Sequence, residues 1–275
     1  MPFITTEKEK KVDIFYQDHG KGQPVILIHG WPLSHKAWEA QTATLVDSGY
    51  RVISYDRRGF GSSSAPWGNF DYSTLAKDLR TLIVELDLNN CIIVGFSMGG
   101  GEVVRYFTDY GNDRIAKAAL ISSIIPLVKK KEDNPKGVPE EDLKGIMKSL
   151  KSDRIGFLKD FHKNFYNCDQ QKDNLSEAQL AYDWSIAAHA SPNATIKCAE
   201  AWAETDFRSE LKNVNVPTLI VHGAADNIVP IETAGDQAAE GIKNNSYEVI
   251  ANAPHGLNIT HKISLNEKLL HFFKE

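Results

Sequence analysis

Cys91-Ile92-Ile93-Val94-Gly95-Phe96-Ser97-Met98-Gly99-Gly100-Gly101 constrains this chain more than any other stretch. A short β-branched apolar run leads into Gly-x-Ser-x-Gly, and a segment able to start a helix follows. That is the sequence form of a strand–turn–helix elbow, in which a serine sits in a strained backbone conformation. Gly95 and Gly99 are needed because the strand and helix backbones pass too close there for a Cβ. Two glycines and a serine also meet at this spacing by chance. The flanks, a strand-like 91–94 and a helix-like 102–110, are what mark Ser97 as a candidate nucleophile.

An elbow of this kind needs a sheet beneath it, and the chain is long enough to supply one. At 275 residues and 42% hydrophobic it suits a single large α/β domain with an insertion. Strands are predicted at 12–17 and 25–29, with Gly20-Lys21-Gly22 turning between them. Val25-Ile26-Leu27-Ile28 is continuously apolar, as in a strand buried on both faces. A helix at 38–47 leads to a strand at 51–55, then to the loop Asp56-Arg57-Arg58-Gly59-Phe60-Gly61-Ser62-Ser63. Leu75, Leu79, Leu82, Ile83 and Leu86 fall at helical spacing over 72–87, and the elbow strand follows.

After a strand at 117–121 the alternation stops, and 126–211 reads as helical or irregular. Phe157, Phe161 and Phe165 recur every four residues and share a helix face there. That face either packs into a core or roofs the site as a lid. Alternation resumes with a strand at 216–223, Asp226 in the loop after it, a helix at 231–239 and a last strand at 247–250. Ala253-Pro254-His255-Gly256 and a helix at 259–273 close the chain. The pattern predicts a mostly parallel sheet covered on both faces, with a core at 1–125 and 212–275 and a helical cap at 126–211.

A serine hydroxyl is not ionised at neutral pH, so Ser97 needs a base and a group to orient that base. His35, His162, His189, His261 and His271 lie in polar or helical stretches that suit the surface, and His29 and His222 end strands and suit a structural role toward nearby loops. His255 follows the last strand in a Pro–Gly loop, at the carboxyl end of the sheet where sites of such folds lie. Asp226 follows its own strand and preserves the order Ser, Asp, His. Asp56 is the rival acid, but it precedes the elbow and sits in a Gly/Ser-rich turn that suits an Asx-type role. The two backbone N–H groups of an oxyanion hole are expected from Met98, at the helix N-terminus, and from Trp31, in the loop His29-Gly30-Trp31-Pro32.

Other classes find little support. A net charge of −5 offers nucleic acid no basic surface, and Lys129-Lys130-Lys131 is followed at once by Glu132 and Asp133. No run approaches membrane-spanning length, and no signal-peptide pattern opens the chain. Three cysteines without metal-ligand spacing suit a reducing cytoplasm, and the His/Glu spacing of a zinc hydrolase is absent. No cofactor or metal is expected.

On these residues the chain resembles the α/β-hydrolase superfamily and, within it, the cofactor-free (non-heme) haloperoxidases, also described as arylesterases and perhydrolases. The likeness runs almost end to end. It rests on His29-Gly30-Trp31-Pro32, Tyr55-Asp56-Arg57-Arg58-Gly59-Phe60-Gly61-Ser62-Ser63, the elbow with its Gly-Gly-Gly ending, Ala203-Glu204-Thr205-Asp206-Phe207-Arg208, Asp226-Asn227-Ile228-Val229-Pro230 and Ala253-Pro254-His255-Gly256-Leu257. The resemblance implies an eight-stranded sheet with a cap after the sixth strand. It implies Ser97, Asp226 and His255 as a triad, Trp31 and Met98 as the oxyanion hole, and Ile124, Phe161, Phe165 and Ile228 around an acyl pocket. In that family a Pro at the position of Pro32 accompanies a loop carbonyl that holds hydrogen peroxide. The implied activity is cleavage of small carboxylic esters through an acyl-enzyme, with peracid formation from carboxylic acid and hydrogen peroxide and hence metal-free halogenation. A plain carboxylesterase or lactonase, and a non-catalytic ligand binder, are the alternatives. Related proteins often assemble into homo-oligomers, though no interface is legible in these residues. A dehalogenase of this fold would carry Asp where Ser97 stands.

Overall fold

The computed structural model describes residues 2–171 and 175–275, so 172–174 of the expected cap lie outside it. The strands are β1 (Phe3–Glu7), β2 (Val12–Gly20), β3 (Pro24–Ile28), β4 (Arg51–Tyr55), β5 (Cys91–Phe96), β6 (Ile115–Ile121), β7 (Thr218–Gly223) and β8 (Asn245–Ile250). They form one sheet in the order β1-β2-β4-β3-β5-β6-β7-β8. β2 runs antiparallel to both its neighbours, and every other pairing is parallel. The helices, in chain order, are α1 (Glu39–Asp47), α2 (Tyr72–Glu85), α3 (Met98–Tyr110), α4 (Glu140–Ser152), α5 (Arg154–Phe165), α6 (Glu177–Ala188), α7 (Pro192–Glu204), α8 (Gly235–Gly241), α9 (Leu257–Thr260) and α10 (Lys262–Lys274).

The central strands are apolar throughout because both their faces are covered. Ile26, Ile28 and Ile93 turn toward α2 and α3, joining Leu75, Leu79, Val103 and Val104 in one core. Their neighbours Val25, Leu27, Ile92 and Val94 turn the other way, onto Leu45 of α1 and Leu265 and Leu269 of α10. This two-residue alternation is the pleat of a strand buried on both sides. Helix α2 begins where Asp71 caps the Thr74 N–H at 3.0 Å, and α7 where Ser191 precedes Pro192.

Helices α4 to α7 all lie between β6 and β7. They do not stand apart from the rest: Ala194, Cys198 and Ala199 of α7 bury in the core that also holds α2 and α3. Among the described residues no helix is long and apolar enough to cross a membrane.

Three local expectations change. β1 was not anticipated, because only Ile4 of Phe3-Ile4-Thr5-Thr6-Glu7 is buried and no apolar alternation marks it. The helix expected at 231–239 becomes a 3₁₀ turn at Ile231–Thr233 and then α8, broken at Ala234 (φ −129°, ψ −86°). The helix expected at 259–273 is likewise divided at His261 into α9 and α10.

Candidate active site

The elbow places Ser97 between β5 and α3 with φ 53° and ψ −117°, a conformation that L residues rarely adopt. It is held there from both sides: the Ser97 N–H donates to the Ile121 carbonyl at 2.9 Å, and the Ser97 carbonyl accepts from Gly100 at 3.0 Å. A Cβ on Gly95 would stand 2.5 Å from the Gly99 oxygen, and one on Gly99 would stand 2.6 Å from the Ile28 oxygen. Both glycines therefore answer a close backbone approach.

Ser97 Oγ lies 2.9 Å from His255 Nε2, and His255 Nδ1 lies 2.7 Å from Asp226 Oδ2. An ionised Asp226 accepts the Nδ1–H, which leaves Nε2 to accept the serine proton. Asp226 Oδ1 takes the Ile228 and Val229 N–H groups at 2.9 and 2.8 Å, and His222 Nε2 stands 3.3 Å from Oδ2. Burial raises the Asp226 pKa, but the His255 and His222 imidazoles overcome this and hold the carboxyl far below the usual range. Burial also depresses His222, and Asp226 outweighs that to leave its pKa raised. The imidazole of His255 is packed by Phe165 at 4.8 Å and Phe96 at 5.4 Å between ring centroids.

Trp31 and Met98, the expected oxyanion donors, belong to two different elements, the loop after β3 and the start of α3, and line the same cavity as Ser97. Among the described residues neither N–H donates to a protein acceptor. The Trp31 indole donates to the Thr195 carbonyl of α7 at 2.9 Å and packs on Phe161 and Trp202. Pro32 follows it, buried, across a cis peptide bond.

Ser97 and His255 open onto a cavity of about 500 Å³. Ile124, Phe161 and Ile228 stand on its wall with Val128, Leu143 and Trp202, and Lys136, Asp142 and Asp160 come at its edge. Phe165 and Pro32 are not on that wall. Phe165 is wholly buried in mutual contact with His255 and Phe96, because the last turn of α5 points into the core rather than the cavity. The end of α5 is also tied to the loops that carry Asp226 and His255. The Phe165 carbonyl accepts the Gly256 N–H at 3.0 Å, and Asn167 donates to the Ala225 carbonyl at 2.7 Å while accepting from Asn227 at 2.9 Å.

Two histidines expected at the surface are buried. His35 Nδ1 pairs with Asp56 at 2.7 Å, and His162 turns inward on α5 and donates to the Leu158 carbonyl at 2.7 Å. Asp56 also accepts the Ser62 N–H at 2.8 Å, and it makes no contact with His255. Arg57 and Glu102 were not singled out by sequence reasoning, yet both are about 1% exposed and joined through the Arg57 Nε–H to Glu102 Oε1 at 2.6 Å. The available signal was Glu102 itself, a lone charge on the apolar stretch Met98-Gly-Gly-Gly-Glu-Val-Val.

The parallel sheet, the elbow and a Ser–His–Asp relay at the strand ends define an α/β hydrolase, and the family described as alpha/beta hydrolase fold matches residues 23–262. A bromoperoxidase from Bacillus anthracis has a crystal structure that superposes with a TM-score of 0.96, at 45% identity over 99% of both chains. A non-heme chloroperoxidase of Kitasatospora aureofaciens and a bifunctional esterase/perhydrolase of Acinetobacter calcoaceticus are each 37% identical over the whole of both chains. The chain belongs to the α/β-hydrolase fold family, in its non-heme haloperoxidase group.

Proposed function

We propose that this chain is a serine hydrolase of small carboxylic esters that also makes peracids from carboxylic acids and hydrogen peroxide. The unbroken relay from Ser97 Oγ through His255 to Asp226, at 2.9 and 2.7 Å, carries the reading. Ser97 Oγ attacks the acyl carbon while His255 Nε2 takes its proton, and Asp226 holds the imidazole in the required tautomer and steadies its positive charge. The tetrahedral oxyanion is received by the Trp31 and Met98 N–H groups. Collapse expels the alcohol, protonated by His255, and leaves the acyl group on Ser97. Water then gives the acid. Hydrogen peroxide in its place gives the peracid, RCO–OOH, and restores the serine hydroxyl; Pro32 shapes the loop whose carbonyl holds the peroxide.

Released peracid oxidises bromide or chloride to hypohalous acid and returns the carboxylic acid, so halogenation needs no halide site and no metal redox step. Ile124, Phe161 and Ile228 form the acyl side of the cavity, and Phe165 serves by seating His255. The free thiols Cys91, Cys168 and Cys198 support a cytoplasmic home. The test follows p-nitrophenyl acetate hydrolysis beside peracetic acid formation from acetate and hydrogen peroxide, in the wild type and in Ser97→Ala. Both activities in the first and neither in the second are expected. Full peracid formation in Ser97→Ala would overturn the acyl-enzyme route, and ester cleavage with negligible peracid would reduce the protein to a plain carboxylesterase.

A further inference from the structure

The two oxyanion donors belong to different elements, so something must fix the distance and angle between them. Van der Waals contact supplies part of this, through Gly99 against the Ile28 and His29 carbonyls. The polar part is a buried relay. Glu102 stands on α3, one turn into the helix that Met98 begins, and pairs with the Arg57 guanidinium while accepting the Tyr55 hydroxyl at 2.7 Å. The same guanidinium donates to the His29 carbonyl at 2.7 Å, and the Arg57 main-chain N–H donates to His29 Nε2 at 3.0 Å. With Nε2 occupied as an acceptor, His29 carries its proton on Nδ1, which lies 3.3 Å from Arg57 Nη1, and donates it to the Gly30 carbonyl at 2.8 Å, beside the Leu33 N–H that the same carbonyl accepts at 3.0 Å. The Gly30 carbonyl and the Trp31 N–H share one peptide plane and point in opposite directions. Whatever holds that carbonyl aims that N–H.

We propose that Arg57 and Glu102, acting through His29, are positioning residues that lock the Trp31 N–H of the loop against the Met98 N–H of α3 and so set the oxyanion hole. A buried ion pair is a poor device for stability, since well-packed apolar side chains of similar size serve as well or better. Its worth here is geometric. Burial, with the Arg57 charge beside it, pushes His29 down to about 3, which keeps the imidazole neutral and Nε2 an acceptor across the working range.

The proposal rests on the acyl-transfer reading above, and its test separates the two. Glu102→Gln (nearly isosteric) and Arg57→Lys are compared with the wild type and with Arg58→Lys. Arg58 makes an equally buried pair with Asp78 at 2.6 Å, away from the loop. Active enzyme is counted by fluorophosphonate titration. Three quantities are then read with p-nitrophenyl butyrate: kcat, KM, and Ki for a trifluoromethyl ketone whose hemiketal oxyanion occupies the hole.

Glu102→Gln and Arg57→Lys are expected to lower kcat by about tenfold to a hundredfold, less than the about 10²–10³ lost when an oxyanion donor is removed outright. KM should stay within twofold, and Ki should rise by the same factor as kcat/KM falls. Arg58→Lys should lose thermal stability with kcat and Ki unchanged. If both substitutions lower Tm yet leave kcat and Ki within twofold of the wild type, the pair is structural only and the proposal falls. An inactive wild type would instead overturn the functional reading itself.

Discussion

Glycine at position 97 should make the protein more stable than alanine does, which reverses the usual order. Both substitutions remove the hydroxyl and its hydrogen bond to His255, so that loss cancels between them. What differs is the Cβ, carried by alanine at φ 53° and ψ −117°. A non-glycine residue in such a region costs of order 1–3 kcal/mol. Glycine relieves this but adds about 0.5–1 kcal/mol of unfolded-chain entropy, and it forfeits up to about 0.8 kcal/mol of Cβ burial. The balance centres near ~0.5 kcal/mol in favour of glycine. At an unstrained buried alanine such as Ala118 of β6 only the two unfavourable terms operate, and glycine should lose about 1.5 kcal/mol. The contrast between the sites is therefore ~2 kcal/mol, or about 4–8 °C in Tm for a chain near this size. Urea unfolding of Ser97→Ala, Ser97→Gly and Ala118→Gly, followed by circular dichroism with a shared slope, measures it. If the alanine-to-glycine step at 97 is as destabilising as the one at 118, the elbow stores no strain and the reasoning is wrong.

Asp226→Asn should lower kcat by about 10⁴-fold with little change in KM, because an amide does not hold the Nδ1–H tautomer of His255; steady-state ester cleavage reads it, and a loss under tenfold would contradict the relay. Asp183 is buried against the Tyr166 hydroxyl at 2.5 Å, and burial pushes its carboxyl up to about 6 despite that bond. A folded pKa above the unfolded one means that the folded state binds the proton more tightly, so stability should rise as pH falls from about 6 toward 4. Asp183→Asn should flatten that slope and raise Tm at pH 7, by up to ~3 kcal/mol of stability; an unchanged pH profile in calorimetry would refute the assignment. Gly100→Ala would set a Cβ 1.8 Å from Ser123 Oγ. It should destabilise by about 1–3 kcal/mol, and an unshifted urea midpoint would show that the Ser123 side chain swings away freely.

The fold was legible wherever a strand is buried on both faces, because such a strand must be apolar at every position. β3 and β5 announce themselves this way, and Ser97, Asp226 and His255 are readable because each lies in the turn or loop that follows a strand. β1 is invisible for the opposite reason: an edge strand that buries only Ile4 needs no pattern. The inward turn of His35 depends on a partner that local sequence does not name, Asp56 twenty-one positions away, and that of His162 on the packing of its helix face, since its hydrogen bond reaches only the Leu158 carbonyl one turn back. Phe165 illustrates a finer limit. Its spacing with Phe157 and Phe161 gave the helix face correctly, but one helical turn separates the cavity wall from the packing behind His255. Arg57 and Glu102 were missed because a charge in sequence reads as surface, and only the folded chain brings the two together across 45 positions.

The joint between the end of α5 and the loops carrying Asp226 and His255 bears on recombination among relatives. A cap exchanged at the chain positions where it leaves and rejoins the sheet would look like a self-contained cassette, and its new walls would seem free to bring a new acyl preference. The Phe165 carbonyl on Gly256 and the Asn167 amide on Ala225 make it otherwise, since the donor cap would import its own seat for the recipient's base. Chimaeras that keep the recipient's 165–167 should inherit specificity without losing turnover, whereas those that replace this short run would mix two registers at one histidine. The unit of exchange in this fold is thus smaller than the insertion: it leaves out the short run 165–167 that seats His255.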